Sequence, residues 1–460
     1  MQERKSESGS VMITDIRIGY EQNRKGCFKM NIRLYHAKIL TMQEKQILEG
    51  EVWVQDHKIV YVGDGSDVDA IYRELALESI VWDREIDCEG NLLMPGFKNA
   101  HTHSGMTLLR SYADDMPLSD WLNKQVFPIE AKMEGEMIYH LTKLAILEYL
   151  TSGITAVFDM YLTPETIAQA CVDMGMRCVQ VGGVNNFSQS LELIERMYQQ
   201  LNHDDPLLSY FIGFHAEYTC SRELLEGVAR LAHQYQAPVF THLAETSAEV
   251  EGCRQRYGMS PVKLLDSLGM FEYGGGGYHC VYLEEEDMDI FQKRGLSVVT
   301  NPGSNTKLAS GIAPIAAYLK RGINVAIGTD GPASNNCLDM FREMFLVTGL
   351  AKLREQDASA VDAGEVLKMA TVNGSKAMNL PDTDTLAKGK EADMIMIDLH
   401  QPNMQPLNNI PKNIVYSGSK QNVKMTMIRG KILYENGQFT KAYDVEEIYR
   451  KANEIINHLR

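Results

Sequence analysis

Long apolar runs, clustered basic residues and paired cysteine motifs are all missing from this 460-residue chain. No stretch approaches the roughly 18 consecutive apolar residues of a membrane span, and the polar N-terminus lacks the apolar core of a secretion signal, so a cytoplasmic protein with no membrane partner is expected. Lys and Arg number 45 against 61 Asp and Glu, a formal charge of -16. Interspersed charges of that balance exclude the basic surface that nucleic acid or anionic lipid requires, which leaves a small molecule as the expected partner. The eight cysteines show no C-x-x-C spacing and read as reduced packing residues.

At roughly 100 to 200 residues per domain the chain holds two or three, although a barrel uses about 250 in one piece. Residues 1–29 precede Met30, where strand-like alternation begins in "MNIRLYHAKILTM", and read as an N-terminal extension. Short β-rich runs such as "EVWVQDHKIVYVGDG" fill 30–91, and the same texture returns over 391–440 in "ADMIMIDL" and "VKMTMIRGKILYENGQF". These segments predict one small β-sandwich domain built from both chain ends, and the spacing of "VEEIYRKANEIINHLR" predicts a C-terminal helix within 441–460. Over 92–390, short apolar runs alternate with amphipathic stretches, the signature of repeated βα units. The strands "LLMPGFKNA", "GITAVFDMY", "RCVQVGG", "SYFIGFHA", "APVFTHLA", "GGYHCVYL", "LSVVTNP" and "NVAIGTDG" reach the number that closes a barrel. Helix cues follow them, as in Thr163-Pro164-Glu165 and Ser221-Arg222-Glu223. The expected fold is α/β, a (β/α)8 TIM barrel with a small β-sandwich domain.

Active sites of such barrels lie at the carboxyl ends of the strands, and polar residues interrupt the apolar runs at those ends. His101 and His103 end the first strand, His215 the fourth, His242 the fifth, His279 the sixth and Asp330 the eighth. Strand residues i and i+2 share a face, so His101 and His103 both aim inward. Alone, the H-x-H pair is weak evidence and reads first as an ordinary strand end. Joined to a His and an Asp on the same rim, it reads as a divalent-metal site with one position open to water. Gly274 to Gly277 have neither the order nor the Lys of a phosphate loop and read as a flexible loop entering the sixth strand.

The set "PGFKNAHTH", "THLAET", "YHC", "NPGSNTKLASGIAPI" and "GTDGPASNN" resembles the amidohydrolase superfamily, and within it the 5'-methylthioadenosine/S-adenosylhomocysteine deaminase branch, which also contains triazine hydrolases. The resemblance implies one divalent metal ion per chain held by His101, His103, His242 and Asp330. Zinc is expected, although such donors also accept Fe2+, Mn2+ or Ni2+. It implies that Glu245 shuttles protons, that His279 orients or polarises the attacking water, and that Asp330 couples metal binding to proton removal. Taken alone, Glu245 reads as a helix cap or dipole partner, and a core histidine is the lesser alternative for His279. The resemblance further implies that Trp121 packs on the substrate, Glu130 holds the ribose hydroxyls and His215 meets the purine edge.

The activity so implied is hydrolytic deamination of an adenosine-like nucleoside of the adenosine, 5'-deoxyadenosine or 5'-methylthioadenosine type. Alternatives are an aminohydrolase or chlorohydrolase of another N-heterocycle (triazine, guanine, pterin) and a non-catalytic metal-binding barrel; similar proteins are commonly homo-oligomers. Several positions depart from the family. Gly182 stands where S-adenosylhomocysteine users carry an arginine, and a second arginine is missing from "NNFSQSLELIER". Loss of a bidentate carboxylate partner weakens that substrate. Glu217 replaces a Pro, Tyr278 an Ala and Thr300 a His, and Glu217 and Tyr278 are expected to reshape the pocket rim.

Overall fold

The computed structural model describes residues 30–66, 71–73, 80–441 and 443–459; the expected extension, 1–29, lies outside them. Eight parallel strands, Phe97–Thr102, Ile154–Asp159, Arg177–Val181, Leu208–Ala216, Val239–Leu243, Gly275–His279, Ser297–Thr300 and Asn324–Ile327, pair in sequence order. Helices cover their outer faces, which is why these strands read as continuous apolar runs. Ala100, Phe158, Val179, Phe240, Tyr278 and Val299 fill the interior, with Ala377 and Met378 in the same cluster. Strands eight and one meet through a side chain: Asn99 Oδ1 accepts from Thr329 N at 2.8 Å and its Nδ2 donates to Thr329 Oγ1 at 2.7 Å. Asp330 N then donates to His101 O at 3.0 Å, which brings the last strand's carboxylate beside the first strand's histidines.

Two expectations about strands need correction. "LLMPGFKNA" is two strands in two sheets. Leu92–Pro95 pairs with Asn31–Leu40 and Met394–Ile397 in a second, mainly antiparallel sheet, and Phe97–Thr102 begins the barrel. Gly96 separates them where a Cβ would lie 2.1 Å from Thr155 Cγ2, and an apolar run carries no mark of which sheet it joins. Gly275 to Gly277 are not a flexible loop but the sixth strand itself. Cβ atoms at Gly275 and Gly276 would fall 2.0 Å from Val239 O and 2.1 Å from Ser297 O, so neighbouring backbones exclude any side chain there.

The second sheet has nine strands, drawn from residues 31–95 and 394–439. A buried ion cluster ties it to the barrel. Arg177 grips Asp393 with two bonds of 2.6 and 3.1 Å, and Glu391 accepts from Lys58 at 2.9 Å and Arg429 at 3.1 Å. Lys98, fully buried on the first strand, donates to Gly96 O at 2.8 Å and Thr155 Oγ1 at 3.1 Å. The expected helix cues are realised: Ser221 Oγ accepts from Leu224 N at 3.2 Å to cap Arg222–Tyr235, and Pro164–Met174 starts after Thr163. Helix Val445–Leu459 buries Ile448, Ala452, Ile455 and Leu459 along one stripe, against helix Gly135–Thr151. Among the described residues no helix is long and apolar enough to cross a membrane, and all seven cysteines are free.

Candidate metal and substrate site

Five side chains from four strand ends converge at the carboxyl rim. The ladder between the first two strands is interrupted between Asn99 and Thr102, just where the chain delivers His101 and His103. His103 Nδ1 donates to Met160 O, His242 Nδ1 to His215 O at 2.7 Å, and His279 Nδ1 to Asn305 Oδ1 at 2.7 Å. Oxygen acceptors on Nδ1 set the ring orientation, so each of these rings points its Nε2 toward the centre. Burial by itself lowers the His103 pKa, and Asp330 and the Met160 carbonyl outweigh that and raise it to about 8. Asp330 Oδ1 lies 3.2 Å from His103 Nε2 and 3.5 Å from His101 Nε2. Its Oδ2 accepts from Ser304 Oγ at 2.6 Å and Ser334 Oγ at 2.8 Å, and lies 3.9 Å from His279 Nε2.

The donor atoms of His101, His242, His279 and Asp330 all lie within 4.8 Å of one another. His103 stands at the edge of this group, its ring centroid 4.8 Å from that of His101 and 5.4 Å from that of His242. Both ring nitrogens of His101 are buried without a hydrogen-bond partner. Burial lowers the His101 pKa to about 3 and holds His242 well below the usual imidazole range, so both rings are neutral, the form that binds metal. Burial by itself pushes the Asp330 carboxyl up, and His101 and His103 beside it outweigh that, holding it well below the usual range. The neutral imidazoles of His101 and His242 and the ionised Asp330 carboxylate around one buried point fit a divalent metal ion. Ala244, His279, Cys280 and Asp330 adopt φ of 49°, 69°, 49° and 60°, so non-glycine backbone in the left-handed region gathers at this rim.

Glu245 follows the fifth strand, buried, with Oε1 accepting from Ser310 Oγ at 3.2 Å and lying 4.0 Å from His279 Nδ1. The capping role falls to its neighbours. Thr246 Oγ1 accepts from Glu249 N at 3.1 Å, and the Glu249 carboxylate accepts from Ala244 N and Glu245 N at 2.7 and 2.9 Å. The Glu245 side chain is thereby left to face the cavity, and burial raises its pKa.

That cavity is also lined by Trp121, Glu130 and His215, with Leu118, Leu122, Phe127, Phe187 and Leu308 forming apolar wall; among the described residues no Lys or Arg lines it. Trp121 is buried, and Glu130 Oε1 is buried with no hydrogen-bond partner. Burial raises the Glu130 pKa to about 7 and lowers that of His215 to about 4. Lys307 Nζ ties the segment between the first strand and Trp121 to the chain beyond the eighth strand, donating to Asp114 Oδ1 at 2.5 Å and to Ala333 O at 3.1 Å. Sequence reading did not single out Lys307 because its partners are distant in the chain.

Neither Glu217 nor Tyr278 reshapes the rim. Glu217 turns away into a two-bond pair with Arg256, at 3.1 and 2.5 Å, while the adjacent Tyr218 lines the cavity. Tyr278 is fully buried inside the barrel beneath His101. At Gly182 a Cβ would lie 2.4 Å from Ile194 Cδ1 and 2.8 Å from Gly213 O, so the local packing admits no longer side chain. Gln189 seals the adjacent turn, accepting from Gly183 N at 2.9 Å and donating to Tyr161 O and Leu162 O.

A (β/α)8 barrel with this donor cluster at its carboxyl rim has the architecture of a metal-dependent barrel enzyme. The chain belongs to the amidohydrolase family, whose pattern matches residues 92–433, and it is a hydrolytic enzyme acting on carbon–nitrogen bonds. It is 38% identical over 435 residues to a 5-methylthioadenosine/S-adenosylhomocysteine deaminase from Caldicellulosiruptor saccharolyticus, covering 93% of this chain and 98% of the relative. Identity is 37% to a 5'-deoxyadenosine deaminase from Methanopyrus kandleri, with 88% and 96% covered. An adenosine deaminase from Xanthomonas campestris, solved with bound zinc, superposes with a TM-score of 0.87 at 32% identity, with 94% and 98% covered.

Proposed function

We propose that this chain deaminates an adenosine-like nucleoside whose 5' group is small and uncharged, replacing the 6-amino group by oxygen and releasing ammonia. The carrying observation is the unpaired, buried Glu130 oxygen in the same cavity as Glu245 and the donor cluster, with no Lys or Arg among the described residues of its walls. The deaminase names of the relatives support the reaction. A carboxylate accepts one hydrogen bond from each of two vicinal hydroxyls, which suits Glu130 to a ribose. A wall without Lys or Arg has nothing to offset a carboxylate or phosphate at the far end of a substrate.

His101, His103, His242 and Asp330 would hold the ion, which we take to be zinc by likeness to the Xanthomonas campestris relative. Such an ion supplies the Lewis acidity that makes water a nucleophile near neutral pH. Glu245 takes a proton from the attacking water and delivers it to the purine ring nitrogen as the C6–O bond forms; it then moves the proton of the new C6 hydroxyl to the amino group, the C6–N bond breaks and ammonia leaves as the carbonyl forms. Burial raises the Glu245 pKa toward the range in which a group can both accept and return a proton. His279 Nε2 directs the water, and neutral His215 presents a bond to the purine edge. Trp121 covers the base. The free cysteines, six of them buried, fit a reducing cytoplasm.

Ammonia release and loss of the adenine absorbance band, measured on adenosine, 5'-deoxyadenosine and 5'-methylthioadenosine, test this reading. Expected activity is highest on these and much lower on S-adenosylhomocysteine and on free bases or triazines. No turnover of the three nucleosides by metal-loaded protein overturns the proposal. Glu245→Gln should lower kcat by about 10²- to 10⁴-fold with metal content unchanged.

A further inference from the structure

We infer that the ring of Tyr278 is the positioning element for His101, doing by stacking what a hydrogen bond does for the other histidines of the cluster. The inference rests on the reading of His101 as a metal ligand. A ligating imidazole ordinarily has its second nitrogen tied to an acceptor, which sets ring orientation as well as tautomer. His103, His242 and His279 each have such a tie, to Met160, His215 and Asn305. His101 has none on either nitrogen.

Its ring lies instead on Tyr278, with centroids 3.7 Å apart and planes inclined by 20°. The other imidazoles meet it edge-on, at 4.8 to 5.9 Å. Tyr278 is itself fixed, its ring 5.7 Å from both Phe158 and Phe240 at 82° and 28°. Gly328 also packs against His101, where a Cβ would fall 2.7 Å from His101 Cβ. A flat face below the imidazole resists rotation about its Cβ–Cγ bond and keeps the nitrogen nearest Asp330 aimed at the centre of the cluster. The Tyr278 hydroxyl is buried without a partner, so the ring plane acts and the oxygen does not.

Zinc affinity measured by chelator competition on metal-stripped full-length protein separates the possibilities. Tyr278→Phe keeps the plane and should hold the zinc Kd within about threefold of wild type. Tyr278→Met keeps similar volume without a plane and should raise the Kd tenfold or more, in the range lost when an outer partner of a metal ligand is removed. The rise in Tm on adding zinc should shrink in the same variant, whereas a purely structural role would lower the metal-free Tm and leave that rise unchanged. Wild-type affinity in Tyr278→Met, or a tenfold loss in Tyr278→Phe, overturns the inference, and the Phe variant keeps that second route to refutation even if the Met variant does not fold. Failure of wild type to bind about one zinc per chain would instead overturn the metal reading itself.

Discussion

Replacing Glu130 by Gln tests the ribose contact most directly. The carboxylate has a buried oxygen with no protein partner, in a cavity whose burial raises its pKa to about 7. Two hydroxyls donating to it form two charge-assisted bonds, each contributing about 1.5 to 3 kcal/mol. Gln preserves the shape and one acceptor while removing the charge and the other acceptor, so roughly one such bond is lost. The expected fall in kcat/KM for adenosine is therefore about 10- to 150-fold. 2',3'-Dideoxyadenosine, lacking both hydroxyls, should be turned over by the variant at least as well as by wild type, because a buried unpaired amide costs less than a buried unpaired carboxylate. The group is the better acceptor when ionised, so the wild-type advantage on adenosine should widen as pH rises through about 7. Initial rates for both substrates between about pH 6 and 8.5, read from the adenine absorbance, give the comparison. Equal losses on the two substrates, or none on adenosine, would refute the ribose contact.

Three further tests address the metal site and the framework. His103→Ala should weaken zinc binding by more than about 100-fold and His279→Ala by about tenfold, as removal of an outer partner does; the reverse order would make His279 the ligand. Arg177→Met removes both side-chain bonds to the buried Asp393 carboxylate, while Glu391 keeps Lys58 and Arg429, and should cost about 3 to 5 kcal/mol in urea unfolding, with a negligible change counting against the buried cluster. Burial lowers the Lys98 pKa from 10.5 to about 8, so between those values the unfolded chain binds the extra proton and wild-type stability rises with pH. Relative to Lys98→Met, wild type should gain up to about 3 kcal/mol from pH 8 to above 10; a flat difference refutes the lowered pKa.

Much of the rim was legible because strand ends are local features. His101, His103, His242, His279 and Asp330 each terminate or follow an apolar run, and barrel topology sends such residues to one place. Glu245 was legible only through its motif context; that Glu249 rather than Glu245 does the capping required coordinates. The misreadings share one cause. Glu217 and Tyr278 were assigned to the rim by position along the chain, but side-chain direction depends on the local backbone. Arg256, 39 residues from Glu217, captures the first, and the space beneath His101 receives the second. The glycines of the sixth strand were read by their conformational freedom, when the neighbouring strands' approach is what demands them.

Alternation, apolar runs and strand-end polar residues, by themselves, determined a (β/α)8 barrel with a sandwich from both chain ends, and a metal-binding rim. Each is a periodic or short-range property that survives in one dimension. Only the tertiary structure decided that Leu92–Pro95 leaves the barrel for the second sheet, that Arg177 meets Asp393 across 216 residues, and that Tyr278 lies flat beneath His101. Those contacts join segments far apart in the chain, and which side chains meet is set by how the packed layers close on one another.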